Sequence, residues 1–192
     1  MFAERETTMT QRADPMLEAL HTEKPHESIA SELQVYGRFV GSWKIDVDLF
    51  PFNRPPLQGE GEWHFAWVIE GRAIQDVFIF PARHLRNKAE PWHRYGTTFR
   101  WYDPAIDAWH ITYFDPSRSF EQRQLGRPVG NDIVQIGEDS KGVQRRWRFT
   151  EITNQSFRWI GEVSWDKGAH WTLELKMNAG RTSAQPSQEF LA

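Results

Sequence analysis

The chain has 192 residues, 39% hydrophobic and 26% charged, which is enough apolar material for one domain with a substantial core and too much for a disordered chain. Its formal net charge of −3 argues against nucleic acid as the main partner, because phosphates call for a basic face. There is no apolar run of about 18 residues to cross a membrane, no apolar signal core in the first fifteen residues, and no cysteine; disulfides, thiolate catalysis and Cys-ligated zinc are excluded and a cytoplasmic location is expected.

Residues 1–28 are polar and broken by Pro15 and Pro25. They are expected to form a flexible arm, with room for one short helix over Pro15–Leu20; the alternative is an arm that covers a barrel end or clasps a second subunit. Ser28 and Ser31 are candidate caps for the next helix. Leu33, Tyr36, Phe39 and Val40 recur at helical spacing, Gly37 weakens the helix, and Gly41 is expected to end it. From Trp43 the period becomes two. Trp43, Ile45, Val47 and Leu49 face one way and Lys44, Asp46 and Asp48 the other, the pattern of a half-buried strand.

Nine further strands follow. Gly59–Ile69 alternates Trp63, Phe65, Trp67 and Ile69 with Glu62, His64 and Ala66, and Glu70-Gly71 turns into Arg72–Phe80. After the long polar connection Pro81–His93 come Arg94–Tyr102 and Ala108–Phe114, joined through Asp103-Pro104. Ser119–Leu125 and Asp132–Ile136 flank a turn expected at Arg127–Asn131. Val143–Ile152, Phe157–Trp165 and Trp171–Met177 complete the set, the last two joined by Asp166-Lys167-Gly168. Residues from 183 read as a polar tail. Ten strands with short connections pair antiparallel, and closure removes their edges. The expected fold is therefore all-β: an up-and-down barrel spanning residues 29–182, with a short N-terminal helix closing one end.

At Gly41-Ser42-Trp43 the chain resembles the lipocalins, which open with a short helical segment followed by Gly-x-Trp. The resemblance implies that Trp43 seals one barrel end and that Arg181 packs on its indole. The stretches GRFVGSW (37–43), EGRAIQDVFIFP (70–81), YDPAIDAW (102–109) and FRWIGEVSWDKGAHW (157–171) are similar to uncharacterised bacterial calycin-like barrel proteins. The strand count looks like that of fatty-acid-binding proteins, without their two lid helices. Nitrobindin-type haem barrels are a further relative, but no histidine follows His170. No cofactor is implied.

The candidate chemistry lies in the middle strands. Asp76, Arg100, His110 and Tyr113 are polar groups on strands that are apolar on both faces; on one inner face they would form an acid–base network, and otherwise an ion pair that only fixes the fold. The spacing of His64, His93 and His110 is no metal motif. Arg145, Arg146, Arg148 and Arg158, with Glu162 and Glu174, are expected to make cross-strand ion pairs on the outer surface, an anion-binding patch being the alternative. Trp63, Trp67, Trp147, Trp159, Trp165 and Trp171 fall on predicted inner faces. Trp63, Trp67 and Trp159 are the chosen ligand contacts, and Pro81–His93 is the candidate portal cover. Apolar outer residues of Ile74–Phe80 and Ile111–Phe114 call for a cover, from the arm or from a second copy in a homodimer. The expected function is binding of a small, largely apolar, aromatic-compatible ligand. A barrel lyase, isomerase or cyclase working by acid–base chemistry, and a protein-interaction barrel, are the alternatives.

Overall fold

The structure, a computed structural model, describes residues 14–86 and 93–182. Helix α1 (Pro15–Leu20) is capped by Asp14, whose carboxylate accepts the Met16 amide at 2.8 Å. The two-residue strand β1 (His21–Thr22) follows, and helix α2 (Ala30–Gly37) leads into ten long strands. These are β2 (Gly41–Leu49), β3 (Leu57–Val68), β4 (Ala73–Phe80), β5 (Arg94–Asp103), β6 (Ala108–Asp115), β7 (Phe120–Val129), β8 (Asp132–Glu138), β9 (Gln144–Thr150), β10 (Ser156–Ser164) and β11 (Thr172–Arg181). Every pairing is between antiparallel neighbours. Strand β3 closes the barrel: its first nine residues pair with β2, and Glu62–Val68 pair with β4. The result is a ten-stranded barrel with β1 added at the end of β3. Among the described residues no helix is long and apolar enough to cross a membrane.

Helix α2 is shorter than its apolar spacing predicts. It ends at Gly37, and Phe39 and Val40 follow in a turn bonded back to Tyr36 and Gly37. Neither serine caps it. Ile29 holds the cap position, Ser28 bonds His26, and Ser31 bonds Glu32. The helix and the turn after it plug one barrel end with Leu33, Tyr36 and Phe39, none of them accessible to solvent. Phe39 stacks on Phe149 at 4.6 Å and meets Phe157 edge-on at 4.8 Å, and Tyr36 meets Trp109 edge-on at 4.8 Å. Burying each of these side chains stabilises by about 1.5–3 kcal/mol.

Trp43 seals the same end. Its indole donates to the Phe39 carbonyl at 2.7 Å, and the Arg181 guanidinium lies 4.1 Å from the ring. Arg181 also donates to three carbonyls: Nε to Asn154 at 2.8 Å, Nη1 to Val40 at 2.8 Å and Nη2 to Arg38 at 2.7 Å. Gly41 has φ +125°, and a Cβ there would stand 2.7 Å from Arg181 Nη1, so the glycine is required on both grounds. The arm from Asp14 packs at this end too: Ile69 donates to Leu20, His26 donates to Gly71, and Arg72 reaches the His26 ring.

Several expected boundaries shift. Strand β7 runs through Pro128 to Val129, leaving Gly130-Asn131 as the turn. Ile69 belongs to the β3–β4 turn in left-handed backbone, 46% exposed. The outer face of β4 is covered from within the barrel: Ala82 N–H donates to Glu60 O, and Arg83 binds Glu62, which stands opposite the buried Ile79 on that face.

Replacing Arg181 by Ala should destabilise the protein by about 2–4 kcal/mol in urea titration, because three charge-assisted hydrogen bonds and a ring contact are lost together. Lys should recover only part of this, since one ammonium cannot replace the planar fork. The Arg83 hydrogen bonds hold Glu62 down at about 2 from its ordinary 4.5. A depressed carboxylate contributes stability above its ordinary range, and loses it as pH falls from 4.5 towards about 2. Thermal melts should therefore show wild type more stable than Glu62→Gln at pH 6, with the gap closing over that acid window.

Candidate functional site

The half of the barrel away from α2 is hollow. A cavity of about 510 Å³ opens between the β2–β3 loop, the start of β5, the β6–β7 turn and the β10–β11 turn. Its walls come from inward positions of the surrounding strands. Trp63 (β3), Phe78 (β4), Tyr113 (β6), Trp147 (β9) and Trp159 (β10) form an aromatic lining, with Leu175 and Met177 from β11. Neighbouring rings are in tilted or edge-on contact: Trp147 with Trp159 at 5.6 Å, Trp63 with Phe78 at 5.9 Å, and Tyr113 with Trp147 at 5.7 Å. The Trp63 indole N–H is buried and has no hydrogen-bond partner among the described residues.

Three of the four candidate acid–base residues face this interior. Arg100 and Thr98 line the cavity, and both bind Asp76 behind them: Arg100 Nη1 pairs with one carboxylate oxygen and Thr98 Oγ1 donates to the other at 3.1 Å. Arg100 is also packed against the rings of Tyr36, Phe65 and Phe149, at 5.2, 5.7 and 5.9 Å. Tyr113 lines the cavity and donates to Asp115 at 3.3 Å; burial pushes its hydroxyl above its ordinary pKa, which keeps it a proton donor. His110 lies apart. It is on the outer face, stacked on Trp101 at 4.2 Å and 3.1 Å from an Asp103 carboxylate oxygen. His64 is likewise outward, between Ser42 and Glu62. Among the described residues no group of three or more His, Asp or Glu is placed to hold a metal ion.

Of the chosen ligand contacts, Trp63 and Trp159 line the cavity. Trp67 is buried at the plugged end, where its ring fills the space beside Gly37. Trp165 stands at the rim, 56% exposed and 5.9 Å from Phe52, whereas Trp171 lies under the outward Arg146. The long connection begins at the open end, but its residues 82–86 turn back towards β3 and residues 87–92 lie outside those described.

The mouth carries charges that the strand-by-strand reading placed elsewhere. Arg146 makes the expected outer pair with Glu162, and Arg158 pairs instead with Glu151, just past the end of β9. Arg145 instead shares the inner face with Trp147 and Phe149: it donates to Asp139 at 3.1 Å and Gln122 at 3.3 Å, and reaches Glu174 at 3.9 Å. Arg94 is inward by the same parity as Thr98 and Arg100. Glu174 is inward for another reason: the register between β10 and β11 slips at Gly161/Glu162, leaving Glu174 as the extra residue of a bulge. Its carboxylate is open to the cavity yet walled by protein, and desolvation raises its pKa despite Arg145 and Arg94 nearby. Among the described residues Glu174 is thus the one lining carboxyl, held above its ordinary pKa by burial.

No family model and no curated protein matches this sequence. Solved structures similar in fold include the following two. An S-type phycobiliprotein lyase, CPES, from Guillardia theta aligns over 79% of this chain and 93% of its own, with a TM-score of 0.53 and 9% identity. Rv2717c from M. tuberculosis aligns over 80% of this chain and 99% of its own, with a TM-score of 0.53 and 14% identity. At such identities the likeness is one of barrel architecture.

A carboxyl whose pKa is raised in the fold costs stability at neutral pH, and the cost disappears as pH falls to its ordinary 4.5. Glu174→Gln should therefore melt above wild type at pH 8, and the two melting temperatures should converge by about pH 4.5.

Proposed function

We propose that the protein binds a small, largely apolar and flat ligand inside the barrel, admitted at the end opposite α2. The observation that carries this reading is the hollow half itself. The interior is not packed solid: a cavity of about 510 Å³ sits within the range of about 300–1,000 Å³ usual for small-molecule sites. Its lining is aromatic, and rigid rings hold a pocket open at little entropic cost. The similarity to a solved phycobiliprotein lyase agrees with a barrel able to host a small molecule.

N-phenyl-1-naphthylamine, a neutral flat probe that brightens in apolar surroundings, tests the reading. It should bind saturably near one equivalent and take excitation energy from the lining tryptophans. Leu175→Trp, which fills the cavity from β11, should abolish the signal while leaving the far-UV circular dichroism intact. Absence of saturable binding, or equal binding by the filled variant, would overturn the proposal.

A further inference from the structure

We infer that the cavity is built to read an anion: its ligand is a flat apolar body ending in a carboxylate, phosphate or similar oxyanion, held at the mouth by Arg94, Arg118 and Arg145. This rests on the ligand-binding reading above. The first support is charge. The chain as a whole carries −3, yet the charged groups lining the cavity are four arginines and one glutamate. Arg100 is neutralised by Asp76. The remaining three arginines stand at the mouth against Glu174, with Asp139 behind Arg145.

The second support is that two of these cations are not committed to a carboxylate by a direct ion pair among the described residues. Among the described residues, neither Arg94 nor Arg118 makes a side-chain hydrogen bond or ion pair. Arg94 is half-buried, and desolvation lowers its pKa even with Tyr113, Asp115 and Glu174 within electrostatic range. Keeping a guanidinium there with carboxylates only at longer range costs free energy that an anionic ligand in direct contact returns. The third support is positioning. The Phe120 ring carries both Arg118, at 5.3 Å, and Arg145, at 5.2 Å, and Arg145 is further fixed by Asp139 and Gln122. Planar guanidinium groups held this way suit the paired oxygens of an oxyanion. The aromatic walls below take the apolar body, so the two halves of the site demand an amphipathic ligand rather than a free inorganic ion.

A matched pair of fluorescent probes separates this inference from the one beneath it. 1-Anilinonaphthalene-8-sulfonate has the skeleton of N-phenyl-1-naphthylamine plus one sulfonate. Wild type should bind the sulfonate at least tenfold more tightly, and the preference should shrink as salt rises. The Arg94→Gln/Arg145→Gln double variant should lose about tenfold for the sulfonate and stay within twofold for the neutral probe. Arg118→Glu, a change at an exposed rim position, should weaken the sulfonate about threefold even if the double variant does not fold. Leu175→Trp should abolish both, placing the probes in the cavity. Equal affinities in wild type, or a sulfonate affinity indifferent to these arginines, would overturn the inference while the binding reading stands; failure of the neutral probe would remove the binding reading as well.

Discussion

The organising constraint is closure at one end. A ten-stranded barrel encloses more volume than its inward side chains fill without help. Here help comes from one side only: α2 and the turn after it insert Leu33, Tyr36 and Phe39, Trp43 seals the bottom, and Arg181 ties the last strand to the α2–β2 turn and the β9–β10 turn. That concentrates ring–ring packing around Phe149 and Phe157 and leaves the opposite half without a plug. The cavity is the complement of the seal, and the same strands build both.

The boundary between the packed and hollow halves is the Asp76–Arg100 pair. Arg100 has its face among the aromatic rings of the plugged end and its edge on the cavity floor. A charge this deep persists only when paired and hydrogen-bonded, which Asp76 and Thr98 provide from adjacent strands. Asp76 is thereby occupied, with one oxygen on Arg100 and the other on Thr98. This makes the floor a hydrogen-bonded structural layer between the two halves.

Much of the fold was legible because side-chain alternation is local. Period-two patterning from Trp43 onward located ten strands, and Gly41-Ser42-Trp43 with Arg181 located the sealed end. Alternation also carried information that went unused: Arg145 stands two residues before Trp147, and Arg94 shares parity with Thr98 and Arg100, so both were inward by the rule applied to their neighbours. Other features depend on partners distant in sequence. Glu174 turns inward because the β10–β11 register slips opposite Gly161, and no pattern within β11 announces that slip. His110 and Tyr113, three residues apart on one strand, must face opposite sides; a single inner face could never have held both. Trp67 satisfies the alternation but sits at the plugged end, a distinction of height along the barrel that parity does not encode.

Glu174 then acquires a physical rationale. Arg94, Arg118 and Arg145 all line one mouth, where like charges in a partly desolvated site repel. A carboxylate delivered by a bulge, beside Arg145 and close to Arg94, offsets that repulsion without occupying the aromatic chamber. Its raised pKa marks the offset as incomplete: burial outweighs the attraction of the arginines, so the carboxylate is held less firmly than its neighbours would allow in water. The mouth so built sets three arginines against Glu174 and Asp139 directly above the aromatic lining.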